Sequence, residues 1–317
     1  MKKFVYILLI LFVIGLAGTL VTVNANGGFS FDTNNVSDKA VIDNDGIKKL
    51  KVDLSSSDVS IHPTTDKEIT VELSGKISKK LKKKIKLAVR ENGDTAEVSL
   101  KNENQIKFNI GVLIVDTNVD IYMPKEMFES IRLETSSGDI AAEGLTAKEI
   151  SLQSSSGDIA VENSKAEDLF AIQTSSGDIS SMKNSGEKLD MKASSGDINV
   201  KDQESREAVI QSSSGEIRLR NISGNLAADS SSGDIFIKNK EITGDFNAES
   251  SSGDITIEFD KNPSSLAFDF RGNSGEGKVE FGGVKYEEKK ENELIGTIGL
   301  GEYKLKARTN SGDFTLR

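Results

Sequence analysis

Nine acidic residues follow the Ser-Gly pair of a repeat: Asp139, Asp158, Asp178, Asp197, Glu216, Asp234, Asp254, Glu276 and Asp313. Three chemistries could use such a series. If the residues stack on neighbouring strands, carboxylates ~5 Å apart repel, and a hard cation such as Ca²⁺ would relieve them through oxygen ligands. Asp139, Asp158, Asp178, Asp197, Asp234 and Asp254 are the candidate cation column. Grouped carboxylates could also cleave a polysaccharide, but acid and base roles need differing environments, and these acids recur evenly. The third use is structural, each acid accepting backbone N–H bonds at a bend. The evenness favours this third reading over a metal site.

Other catalytic chemistry is sparse. The chain has no Cys and no Trp, which removes thiolate nucleophiles, zinc-thiolate sites and an indole platform for sugars. Its one histidine, His62, sits beside Pro63 and reads as a solvated side chain. No catalytic residue, no cofactor motif and no cofactor emerge, and the expectation is a protein that is not an enzyme.

The elements that position the acids follow from the spacing. The glycines Gly138, Gly157, Gly177, Gly196, Gly215, Gly233 and Gly253 lie 19, 20, 19, 19, 18 and 20 residues apart, with looser copies at Gly275 and Gly312. Seven residues before them stand Ile131, Ile150, Phe170, Leu189, Ala208, Leu226, Phe246, Phe268 and Leu305; five before, Leu133, Leu152, Ile172, Met191, Ile210, Ala228, Ala248, Phe270 and Ala307. Two after come Ile140, Ile159, Ile179, Ile198, Ile217, Ile235, Ile255 and Phe314, with Val279 displaced by the extra Gly277. Apolar residues two apart mark half-buried strands. The parity changes at the glycine, so the chain turns a corner there, with glycine supplying backbone freedom. One unit cannot bury its row alone, so the units must stack. The expected fold is all-β: a parallel β-solenoid of roughly 20-residue coils, preceded by one N-terminal transmembrane helix. The serine just before each glycine, Ser137, Ser156, Ser176, Ser195, Ser214, Ser232, Ser252, Ser274 and Ser311, has inward parity and is expected to fill the corner.

Around Ser57-Asp58 the same offsets hold Leu50, Val52, Val59 and Ile61, with Ser57 in place of glycine. Residues 41–130 read as irregular N-terminal coils, with room for about four between Ser57 and Gly138, and with Glu91-Asn92-Gly93-Asp94 as a hairpin turn. Residues 131–261 are the regular solenoid and 262–317 its C-terminal coils and cap. Residues 26–40 read as a polar linker.

Lys2 and Lys3 precede an uncharged run from Phe4 to Val23. Twenty residues at about 1.5 Å each span roughly 30 Å, a bilayer core. Residues 1–25 are thus expected to anchor the chain in the cell membrane, N-terminus cytoplasmic and the rest extracytoplasmic; the alternative is a signal segment cleaved near Ala25. With 50 Asp+Glu against 40 Lys+Arg and a net charge of −10, nucleic acid is not an expected partner. The local basic run Lys79, Lys80, Lys82, Lys83 and Lys84 could contact an anionic surface, or could be a solvated face protecting a sheet edge.

The apolar N-terminus, the stretch MPKEMFESIRLETSSGDI at Met123–Ile140 and the repeated SSSGDI resemble the bacterial putative-adhesin family that includes LiaG-like membrane proteins, over roughly residues 45–317. That resemblance implies a right-handed, pectin-lyase-like β-helix, no established catalytic residues and a role at the cell envelope. The expected function is a non-enzymatic, membrane-anchored envelope protein presenting its solenoid as a binding or adhesin-like module, linked to envelope homeostasis, with envelope proteins or anionic wall polymers as partners. The alternatives are a scaffold assembling by end-to-end stacking, as bactofilin-like polymers do, and a polysaccharide-active enzyme.

Overall fold

The computed structural model describes residues 32–79, 85–101 and 115–317. Among the described residues the elements of the chain are β-strands, joined in one continuous, mostly parallel sheet. Two rows of strands run along the rod. In the first, Ile131, Ile150, Phe170, Leu189, Ala208, Leu226 and Phe246 pair coil to coil in parallel register. In the second, the partners are Ile140, Ile159, Ile179, Ile198, Ile217, Ile235 and Ile255. All of these are buried in one contiguous core. Burying an Ile or Leu contributes on the order of 2 kcal/mol, which a lone coil could not collect.

The corner between the rows differs from the parity argument. The serines before the glycines, such as Ser137 and Ser156, are exposed. The buried hydroxyl lies three residues before the glycine instead: Thr135, Ser154, Thr174, Ser212, Ser230, Ser250 and Thr309. Each takes the N–H of its own corner glycine, as in Ser154 Oγ with Gly157 N at 2.8 Å. Several also donate to the preceding corner, as Thr174 Oγ1 does to Gly157 O at 3.2 Å. Two outward serines in succession break the alternation and let the glycine face inward. At the corners from Gly138 to Gly253, Ala193 is the one residue in this column without a hydroxyl. Ala193→Ser is expected to restore the bond to Gly196 and raise stability by about 1 kcal/mol, read from urea denaturation.

The glycines are not there for backbone freedom, since no corner glycine has a positive φ. They are there because coils approach closely: a Cβ on Gly157 would lie 1.9 Å from Gly138 O. Each such Cβ points at the preceding corner, and Gly138 points at Ser57 O at 1.9 Å. Ser57 therefore occupies the glycine position of the first coil. It can carry a side chain because no corner lies beneath it; its Oγ meets Thr117 Oγ1 at 2.6 Å instead.

The N-terminal region corrects the expectation of about four coils. Strands Lys49–Asp53 and Asp58–Thr64 stack directly on the Gly138 coil. Beneath them, Thr95–Lys101 and Val115–Pro124 add one open turn in parallel. Antiparallel strands then close the end: Lys86–Asn92 on Thr95–Lys101, and Glu68–Ser78 between Val115–Pro124 and Thr33–Asp43. Residues 33–40 thus belong to a strand and not to a linker. Alternation identifies strands but not the direction of their neighbours, so the excess coils were an overcount.

At the other end the order in space departs from the order in sequence. Tyr303–Thr309 and Phe314–Leu316 lie between the Gly253 coil and the Gly275 coil. The hairpin of Lys285–Lys289 and Glu293–Ile298 covers the Gly275 coil in antiparallel pairing. Gly277, not Val279, takes the inward position opposite Phe314. The Phe270 ring, stacked on Phe314 with centroids 4.8 Å apart, occupies the space where a Gly277 side chain would sit.

Candidate functional site

The acids after the glycines form a ladder, and its bonds run between coils. Asp58 Oδ1 accepts the N–H of Asp139, Asp139 that of Asp158, Asp158 that of Asp178, and Asp178 that of Asp197, at 2.7 to 2.9 Å. Asp197 likewise serves Glu216, Asp234 serves Asp254, and Asp254 serves Asp313. Each carboxylate thus caps the next coil, not its own corner. Glu216 interrupts the series, its longer arm meeting Arg218. Among the described residues, no group of three or more His, Asp or Glu side chains is arranged to hold a metal ion.

His62 stacks on Tyr122 with centroids 5.3 Å apart, its Nε2 3.6 Å from Asp120 Oδ1. The ring is half-exposed. Of the basic run, Lys79 pairs with Asp32 at 2.8 Å; Lys80, Lys82, Lys83 and Lys84 lie outside the described residues, as does the N-terminal segment 1–25. Among the described residues no helix is long and apolar enough to cross a membrane.

The feature that sequence reasoning missed is a groove of about 740 Å³ along the outside of the bend before the glycine corners. One wall is the column of exposed serines two residues before each glycine, including Ser194, Ser213, Ser231 and Ser251, continued by Asn310 and Asn273. The other wall is the column four before: Gln173, Lys192, Gln211, Asp229, Glu249, Arg308 and Arg271, in spatial order. The buried hydroxyl row forms the floor. The bend exists because the hydroxyl three before the glycine points inward and the next two residues point out.

The electrostatics vary along the groove. Burial pushes the Asp229 carboxyl above its ordinary range, the neighbouring Glu249 adds to this, and a bond from Gln211 opposes it. Further along, Asp269 receives Arg308 Nη2 and Arg271 Nε, both at 3.0 Å. Burial alone would raise Asp269, but these guanidinium bonds outweigh it and hold the carboxyl below its usual range. The signal for this wall was present in the sequence: once the repeats are aligned, it is an outward column whose chemistry changes from coil to coil.

In the five coils from Gly138 to Gly215 the second corner, six residues after the glycine, is held by left-handed backbone at Gly144, Asn163, Lys183, Asp202 and Asn221, with φ between 51° and 66°. Gly and Asn are the residues that tolerate this region best.

A putative lipid binding protein from Parabacteroides distasonis has the same fold at 15% identity, with 90% of this chain and 97% of that one covered and a TM-score of 0.54. A putative adhesin from Bacteroides fragilis matches at 14% identity over 91% and 99%, with a TM-score of 0.45. Another from Parabacteroides merdae matches at 11% over 90% and 97%, with a TM-score of 0.37. No curated protein matches the sequence. The family model described as Toastrack DUF4097 matches residues 47–317, in agreement with the putative-adhesin resemblance carried by the SSSGDI repeats. With that match spanning both rows, the acid ladder and the groove, the chain belongs to the Toastrack DUF4097 family.

Proposed function

We propose that this protein is a non-enzymatic binding module of the cell envelope, carried outside the membrane by its N-terminal segment, and that the groove holds an extended, hydroxyl-rich polymer such as a wall glycan. The observation that carries this reading is the contrast between columns. The inward rows, the corner glycines and the acid ladder repeat one chemistry because each coil must bond the next. The groove wall from Gln173 to Arg271 makes no such demand, and there the side chains vary. Serine hydroxyls, amides and carboxylates in a row suit the many donors and acceptors of a sugar chain. The even use of the acid ladder as backbone caps supports a binding role over a polysaccharide-cleaving one. End-to-end stacking has less support, because the outermost C-terminal strand carries Lys285, Glu287, Glu288 and Lys289, charges that blunt an edge.

The test is co-sedimentation of the full-length protein, in detergent, with purified wall polysaccharide. Ser213→Leu with Ser231→Leu fills the groove from exposed positions and leaves the buried hydroxyl row intact. Loss of at least tenfold in binding is expected while the far-ultraviolet spectrum is unchanged. Undiminished binding by the folded double variant would sink the groove assignment.

A further inference from the structure

A second surface lies at the far end of the short strands, away from the groove. The outward column five residues after each glycine changes sign along the rod. Glu143 and Glu162 come first, then Met182, then Lys201, Arg220 and Lys238, then Glu258, all paired in register. Three successive coils therefore hold cations side by side at ~4.8 Å strand spacing. Lys238 is paired with Glu258 at 3.3 Å and Asp260 at 3.6 Å. Among the described residues, Lys201 and Arg220 have no carboxylate partner at salt-bridge distance. Like charges directly opposite each other on neighbouring strands are destabilising.

An independent observation falls at the same place. Lys183 begins the corner beside Lys201, donating its N–H to Lys201 O at 2.9 Å. Its φ is 54°, in a column otherwise filled by Gly, Asn and Asp. Lysine lacks the short polar arm that eases left-handed backbone. The chain, at net charge −10, thus accepts two local penalties at one spot, and each adds positive charge there.

We propose that Lys183, Lys201 and Arg220 form a binding site for a linear polyanion, a polymer carrying phosphate or carboxylate groups at intervals. The anionic groups would relieve the stacked cations, with the Arg220 guanidinium able to grip an oxyanion in two-pronged fashion. A chain lying across these coils meets the cations, with Asp202, beside Lys201, already engaged by Asn221 Nδ2 at 2.7 Å. A flat anionic membrane would also meet Glu143, Glu162 and Glu258 in the same column, so the polymer is the occupant that fits.

The experiment uses full-length protein in detergent and inorganic polyphosphate as the probe, with affinity followed as salt is raised. Wild type is expected to bind with a steep salt dependence. Lys201→Gln with Arg220→Gln should weaken binding roughly tenfold and flatten that dependence. Lys183→Asn should weaken binding and at the same time raise Tm, a combination that a purely structural lysine would not give. Ser213→Leu with Ser231→Leu should leave polyphosphate binding unchanged, which separates this site from the groove. No binding by wild type, equal binding by the Lys201/Arg220 variant, or a fall in Tm for Lys183→Asn would each overturn the proposal. So would binding to phosphatidylglycerol vesicles lost through the same substitutions, which would assign the patch to a membrane.

Discussion

Gly196→Ala is expected to cost about 3 kcal/mol or more of unfolding free energy, among the largest effects a single methyl group can have. The added Cβ would sit 1.8 Å from Gly177 O and 2.4 Å from its carbonyl carbon. Both are backbone atoms, so no side chain can swing away. Relief requires the two coils to separate by about 1 Å or more, and the bonds between them are short. Ser195 N donates to Ser175 O at 3.0 Å, Asp197 N to Asp178 Oδ1 at 2.8 Å, and Ile179 N to Asp197 O at 2.9 Å. The damage is confined to one interface, and in a stacked array stability is close to a sum of nearest-neighbour interfaces. Chemical denaturation should therefore show a lower midpoint and a broader or split transition as the two halves uncouple. Gly282→Ala is the control: a Cβ there meets nothing within 4 Å, and its φ is not positive. It should stay within about 0.5 kcal/mol of wild type. Equal costs for the two substitutions would show that coil approach is not what demands glycine.

That contrast marks what a repeat makes legible. The inward rows could be read because each offset is tested at every corner, so that a chance Ile at position 140 is distinguished from a row running through Ile159 and Ile179. The same alignment placed Ser57 correctly, and the structure explains the exception through Thr117. What alternation could not give was the path through the corner. It assumes each residue flips face, but Ser155 and Ser156 both point outward before Gly157 turns in. That one slip moved the buried hydroxyl from Ser154 to Ser156 and hid the groove, which exists only because of the bend. Strand direction was equally invisible: Ile69, Val71 and Leu73 alternate as well in the antiparallel strand they occupy as they would in a coil. The spatial exchange of the last two coils left a trace, the 37-residue gap between Gly275 and Gly312, but a gap does not say which side of the earlier coil the later one will join.

Gln203→Leu should stabilise the protein by about 2 kcal/mol, reversing the usual sign of a core substitution. Gln203 is 1% exposed, and among the described residues neither its Nε2 nor its Oε1 has a hydrogen-bond partner. It stands in the inward column after the second corner, where Leu145, Ser164, Asn184, Ile222 and Ile242 are its counterparts. The polar members of that column do have work. Ser164 Oγ accepts the N–H of Leu145 at 3.1 Å, and Asn184 Oδ1 accepts that of Ser164 at 2.7 Å. Asn184 Nδ2 in turn reaches Val161 O at 3.0 Å and Ser181 Oγ at 2.8 Å. The chain of bonds stops there. Gln203 carries the same kind of group one coil further on with nothing to bond, between Asn184 and the apolar Ile222. Leucine keeps most of the volume and removes two desolvated polar atoms, whereas Asn184→Leu would strand the Ser164 N–H and should cost about 2 kcal/mol. Denaturation midpoints of the two variants should therefore move in opposite directions. If Gln203→Leu lowered the midpoint as well, the amide would have to be satisfied by a buried water that bridges it to the equally unpartnered Ser205 Oγ. The interior of the rod would then be wet at this coil, and its stability would rest on that water as well as on the isoleucine rows.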